Sequence, residues 1–349
     1  MEVMKMENDA NRTMENCRFL KAVLMVLVIL GHSCAFWADE WFIGKPIIDS
    51  SLLKLVYGWL NSFHIYTFVL ISGYIFTYKI DRGGYSEFAL FLKNKAKRLL
   101  LPYIFTTIVW VVPISVYYFH WDLEYLIKKF VLAINPSQLW FLWMLFWVFI
   151  IAWVLNKVTI RKTYLEFFIV AFFYGIGSIG VRFFDNFFCI WSACIYLPFF
   201  YIGTRIRRVQ EIRKLYIENI PAMVWLVLDI FIFMVSQMIL SQIQFPGVGL
   251  VLGLLTNIVG SISAFMILQK VADKINWSRF SFIGKMITYT MPMYLFHQQI
   301  IYFTLNLFNG KVHPYINVLI NFTCALMLCF IISTILMRFK LSRLMLGEK

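Results

Sequence analysis

Ten long apolar stretches, each closed by polar or basic residues, divide the chain at approximately 19–37, 52–78, 99–119, 139–155, 164–180, 187–204, 221–240, 250–270, 286–306 and 316–337. A helix needs about 20 apolar residues to cross ~30 Å of hydrocarbon. The pattern therefore predicts an all-α, polytopic membrane bundle of about ten crossings. The break between the fifth and sixth stretches holds only Arg182, Asp185 and Asn186 as its polar residues, which suits either two full crossings or a re-entrant turn. Between the third and fourth, the run LEYLIKKFVLAI is amphipathic and is expected to lie on the outer membrane surface, with Lys128 and Lys129 beside apolar neighbours. No repeat or low-complexity stretch stands out, so a single domain over 1–349 is expected, with short cytoplasmic tails at 1–18 and 338–349. A missing repeat also weighs against a transporter built from repeated halves. The first apolar run follows a charged leader and continues past any small-residue cleavage pattern, so no cleavable signal peptide is expected.

Charge then orients the bundle. If the N-terminus lies inside, all but six of the 32 Lys and Arg fall in alternate, inner breaks; the exceptions are Lys45, Lys54, Lys128, Lys129, Arg182 and Lys311. That asymmetry predicts both termini on the cytoplasmic side. The basic stretch from Arg205 to Lys214 is expected on the inner face. Composition agrees with a membrane protein: 61% hydrophobic and 14% charged residues, with mean hydropathy +0.75. In a soluble chain a net charge of +14 would point to nucleic acid; here topology explains it, and no nucleic-acid partner is expected. Six cysteines lie in or beside apolar runs without disulfide or metal spacing. Scarce alanine with abundant Phe, Ile and Lys points to an AT-rich bacterial genome, and so to a multi-pass protein of the cell membrane.

Against this apolar background a few polar groups carry the chemistry. His32 ends the run KAVLMVLVILGHSC, 14 and 11 residues beyond Arg18 and Lys21, hence roughly 17 Å or more along the helix. His64 lies about 18 Å down the second stretch by the same rise, so the two imidazoles on consecutive antiparallel helices can meet. His297 follows Pro292, which should open the backbone of the ninth stretch. For each histidine a packing hydrogen bond is as plausible as catalysis, and His32 is the favoured functional residue. No two of them share metal spacing on one helix and no carboxylate accompanies them, so no metal is expected. Asp229 is read as a polar contact between helices. Lys93, Lys95, Lys97 and Arg98 either hold a loop inside and bind anionic lipid or form a phosphate clamp, with Arg98 supplying a planar fork.

These stretches together resemble the integral-membrane acyltransferase 3 family, and within it the fucose 4-O-acetylase-like and polysaccharide O-acetyltransferase members. The likeness is carried by Lys21 with LVILGHS, FHIYTFVLISGY at 63–74, KNKAKRLLLPY at 93–103, LWFLWMLF at 139–146, LPFFYIG at 197–203 and IGKMITYTMPMYLFHQ at 283–298. Arg18 stands where the family usually has an acid, and Lys21 and Lys95 replace its more common arginines. The resemblance implies transfer of an acetyl group from acetyl-CoA to a carbohydrate hydroxyl, with His32 as general base or acyl carrier and Ser33 or Cys34 as other nucleophiles. Lys21, Lys95 and Arg98 would meet the donor's phosphates. His64, Asn61, Tyr66, His297 and Trp140 would face the acceptor, although Trp140 and Trp143 suit an interfacial belt better. Membrane lipid, acetyl-CoA and a carbohydrate or lipid-linked saccharide are the expected partners, and a homodimer is left open. Two other classes remain at this stage: a flippase or transporter for a lipid-linked sugar, and a non-enzymatic scaffold for polysaccharide assembly.

Overall fold

The computed structural model describes residues 2–40, 44–158, 162–209, 219–243, 245–275 and 277–348. Those residues form helices and turns with no strand among them. The helices are α1 (Glu2–Cys34), α2 (Ser51–Asn61), α3 (His64–Asp81), α4 (Phe88–Thr106), α5 (Val112–Phe119), α6 (Leu123–Leu126), α7 (Trp140–Val158), α8 (Thr163–Phe183) and α9 (Ile190–Arg208). They continue with α10 (Ala222–Gln242), α11 (Pro246–Lys274), α12 (Ser281–Phe308), α13 (Pro314–Leu336) and α14 (Lys340–Met345). Arg161, Arg213, Lys214 and Lys349, used above in the topology count, lie outside the described residues.

Eight helical segments among the described residues are long and apolar enough to cross a membrane: α1, α4 running into α5, α7, α8, α9, α10, α11 and α13. The chain is thus a multi-pass membrane protein. α8 and α9 are each long and apolar enough to cross, and a short turn at 184–186 joins them, which favours two crossings at that break. The second and ninth apolar stretches differ from their neighbours. Residues 52–78 are two helices, not one, because the chain tightens after Asn61: the Ser62 hydroxyl donates to the Trp59 carbonyl at 2.7 Å and the Ser62 and Phe63 amides bond back into the last turn of α2. A helix that has spent its carbonyls on such i→i+3 bonds cannot continue in register. α3 therefore restarts at His64. α12 stays one helix through Pro292, so the proline does not break it, and its His297, Gln299 and Thr304 are buried.

α1 is the central post. Two thirds of its most apolar window is buried (67%), against 17% for α10 on the periphery. It packs on α2, α3, α11, α12 and α13. Its first turns, expected as a tail, are already helical, and one of them docks on α11: Asn16 donates to Gln269 Oε1 (3.0 Å) and Asp273 Oδ1 (2.8 Å), while Arg12 Nε pairs with Asp273 at 2.7 Å. α3 and α9 touch backbone to backbone. A Cβ added to Gly73 would overlap the Phe200 carbonyl oxygen, and one on Gly203 the Leu70 carbonyl oxygen. Small residues at such crossings let helices approach closely where no hydrophobic effect drives them together.

Between α5 and α7 the amphipathic run folds as α6 and one wide turn. Lys128 is exposed and paired with Glu124 at 2.7 Å, whereas Lys129 is buried against Trp121 and Tyr125. Only one of the two lysines therefore behaves as a surface residue. The second cation is drawn inward by the ring faces that attract it.

Candidate active site

His32 sits in the last turn of α1 and meets α12. Its Nδ1 lies 2.7 Å from His297 Nε2, and the two rings are nearly parallel, 3° apart with centroids 4.9 Å from each other. The partner's other nitrogen settles the proton. His297 Nδ1 faces two carbonyl oxygens of its own helix, Tyr294 at 2.8 Å and Met293 at 3.1 Å, and a carbonyl can only accept. His297 Nδ1 is therefore the protonated nitrogen and its Nε2 carries the lone pair. His32 Nδ1 must then donate, which leaves the basic lone pair of His32 on Nε2.

α12 is held in place at this level by groups that sequence reasoning passed over. Gln138 Nε2 donates to the Leu295 carbonyl (3.1 Å) and to Gln299 Oε1 (2.7 Å), the Tyr294 hydroxyl donates to the Gln138 carbonyl, and Trp110 Nε1 donates to the Phe296 carbonyl (3.3 Å). The signal available was Gln298 and Gln299 directly after His297, since two amides in an apolar run need partners. His64, the first residue of α3, is buried and turns its Nε2 toward Gly31, where a Cβ would sit 3.8 Å away. The two imidazoles on consecutive helices do come near each other: His64 borders the pair beside Gly31, within electrostatic reach of His32, while the hydrogen bond runs from His32 to His297. Ser33 donates to the Ile29 carbonyl at 2.8 Å and Cys34 is fully packed, so α1 turns both away from His32.

Toward the basic end, Lys21 shares its surroundings with Lys79, Arg98 and Glu348. Lys95 is not a surface cation. Its Nζ lies 3.3 Å from the centre of the Phe149 ring, 4.9 Å from Tyr85 and 5.5 Å from Phe91, with a 3.3 Å hydrogen bond to the Tyr85 hydroxyl. Lys93, Lys97 and Arg98 are exposed around it. Lys21 lies 11 residues before His32 on the same helix, roughly 16 Å along its axis.

A family model described as an acyltransferase domain matches residues 16–338. The chain belongs to the acyltransferase 3 family. Searches of curated proteins and of solved structures return no match. The match embraces every helix from the second half of α1 through α13, so this membrane acyltransferase carries its family domain across both the histidine pair and the basic end.

The remaining candidates fall into two places. Tyr66 stacks on Tyr196 (4.8 Å, 13°), and Trp140 packs on the same tyrosine at 5.4 Å; Phe141 continues the aromatic wall to Tyr294, which borders His297 at 6.2 Å. Trp140 and Trp143 thus pack inward, Trp143 against Tyr103 and Phe188, rather than forming a belt at the membrane surface. Asn61 lines a cleft with α10 and α11, which Tyr66 also borders. Asp229 accepts from Trp59 Nε1 at 2.9 Å and so joins α10 to α2. No trio of His, Cys, Asp or Glu among the described residues is grouped to hold a metal.

Proposed function

We propose that this acyltransferase moves an acetyl group from acetyl-CoA to a hydroxyl of a cell-surface carbohydrate, with His32 as the general base. The observation that carries the reading is the His32–His297 hydrogen bond, which leaves an imidazole lone pair at the end of the most buried helix. A sugar hydroxyl attacks a thioester carbonyl poorly until its proton is taken in the same step. His32 Nε2 takes that proton as the C–O bond forms, and returns it to the departing thiolate as the C–S bond breaks. Positive charge arising on His32 during attack is shared along the hydrogen bond to His297, whose own proton is anchored on two carbonyls.

Acetyl-CoA, when bound, supplies the activated acyl group. Arg98 offers a planar fork to its phosphates, with Lys21 deeper along the path. Lys95, boxed by aromatic rings, contributes field rather than contact. The polarity fits a cytosolic donor: with the α2–α3 pair and α12 taken as crossings beside the eight more apolar ones the count is ten, and the Lys and Arg asymmetry supports both ends of the chain and the basic end on the cytoplasmic side of a bacterial cell membrane. The acceptor is then a surface polysaccharide or its lipid-linked precursor, and the whole of 1–349 works as one domain.

The test uses the purified protein in nanodiscs with labelled acetyl-CoA and deacetylated surface polysaccharide. His32→Ala should lower transfer by at least about 10²-fold, the usual share of a general base, without loss of folded protein. Near wild-type turnover in that variant would remove His32 from the chemistry.

A further inference from the structure

We propose that the acyltransferase holds an uncharged sugar ring at a second place, a cleft between α2, α10 and α11 that opens sideways from the bundle. The assignment rests on the acetyl-transfer reading above, since it gives the acceptor a holding site apart from the histidines. The cleft measures about 170 Å³. At its rim are the exposed amides of Asn61 and Gln237; Ser236 and Thr256 lie buried at its floor, with Asn257 between.

These polar groups do not satisfy one another. The Thr256 hydroxyl, on a residue only 5% exposed, has no hydrogen-bond partner among the described residues. Nor does any hydrogen bond join the side chains of Asn61, Gln237 or Asn257 to another described residue. A hydroxyl buried without a partner, as on Thr256, is costly to leave so. Polar residues that merely glue helices together bond across the interface, and here they face a void instead. The arrangement is that of a site whose hydrogen bonds are completed by its occupant.

The lining names the occupant's chemistry. Among the described residues no charged side chain lines the cleft, so a phosphate or carboxylate there would be buried without a counter-charge. Donors and acceptors are mixed, as a ring of hydroxyls requires, and Phe233 and Tyr66 supply flat apolar walls for its C–H faces. The volume is below the ~300–1,000 Å³ of drug-sized sites, which admits one ring rather than a chain. α10 is buried over only 17% of its most apolar window, so the cleft's outer wall borders the lipid. α2 divides the cleft from the histidines: Leu60 on one face of α2 packs at Gly31, while Gly58 and Asn61 on the other line the cleft. A ring held here waits beside the α2–α3 break, and reaches His32 only by passing it. Its source is either a lipid-borne glycan or a free sugar, and the chemistry is common to both.

The experiment is photolabelling of the full chain in nanodiscs by octyl glucoside carrying a diazirine on its sugar, with labelled peptides mapped by mass spectrometry. Label should fall within 233–240 and 253–257. Unlabelled octyl glucoside should compete, while octanol and octyl phosphocholine should not. Gln237→Leu combined with Asn257→Leu should cut labelling about tenfold; should that pair misfold, Thr256→Val, of equal shape, should still reduce it. Competition by free glucose as strong as by octyl glucoside assigns a water-borne ring, and competition by the glucoside alone assigns a lipid-borne one. Labelling that survives the substitutions, or that octanol competes away, overturns the proposal and leaves an ordinary lipid groove. His32→Ala should leave labelling intact, so failure of the general base and failure of this site are told apart.

Discussion

His297 receives the Nδ1 proton of His32 at 2.7 Å while spending its own Nδ1 proton on the carbonyls of Tyr294 and Met293. The relationship runs one way, from α1 to α12 to backbone, so the tautomer of the first ring is dictated by the helix that carries the second. A carbonyl acceptor is the most dependable anchor for such a chain, because it has no proton to give.

That dependence can be measured. His297→Leu should cost roughly 10²-fold in kcat with little change in KM for acetyl-CoA, since the base is left free to populate its wrong tautomer. His297→Gln, which can still accept through its amide oxygen, should recover much of the loss. Equal rates for the Leu and Gln variants would show that His297 only packs.

Depth along a helix was legible in the chain and direction around it was not. The rise per residue placed His32, His64 and a basic anchor at sensible levels and brought the first two near each other, but it could not show that the hydrogen-bond partner of His32 is His297, because packing and not connectivity chooses it. α12 brings His297 to His32 from 265 residues away. The break between α2 and α3 was also hidden inside one apolar run; Asn61 and Ser62 were its only marks. For Lys95 the pattern did hold the answer, since Phe91, Lys95 and Leu99 recur at i, i+4, i+8 on one buried face.

The two cations in the middle of α4, Lys95 and Arg98, should therefore behave differently. Arg98→Ala should weaken acetyl-CoA binding about tenfold by calorimetry, as expected for loss of a charge-assisted contact, and leave the melting temperature nearly unchanged. Lys95→Arg should do the reverse: a planar guanidinium does not fit a box that brings Nζ within 3.3 Å of the Phe149 ring centre, so stability falls first. Unchanged acetyl-CoA affinity in Arg98→Ala would return that residue to a topological role.

The α3–α9 crossing offers a test of assembly independent of catalysis. Gly73→Ala or Gly203→Ala puts a methyl group into a facing backbone carbonyl, which no rotamer change can relieve. Separation of the helices should lower the melting temperature by several degrees, the effect of about 1–3 kcal/mol of overpacking, and Gly73→Val should prevent a monodisperse fold. Gly175→Ala, where an added Cβ meets nothing within 4 Å, is the neutral control.

Lys129 gives a pH-dependent prediction outside the spanning helices. Burial brings its amine down from 10.5 to about 8, despite the attraction of Trp121 and Tyr125. A lysine whose folded pKa is depressed binds its proton less tightly folded than unfolded, so it opposes folding most below about pH 8. The opposition fades as pH rises from there toward 10.5, where the unfolded chain also sheds the proton. Lys129→Met keeps the length and apolar stem but removes the charge. Its melting temperature should exceed that of the wild type at pH 7, and the gap should narrow progressively between pH 8 and 10. A variant less stable than wild type at every pH would mean that the ring contacts outweigh the cost of desolvation, and that the buried ammonium is a net tie between α6 and the rest of the bundle.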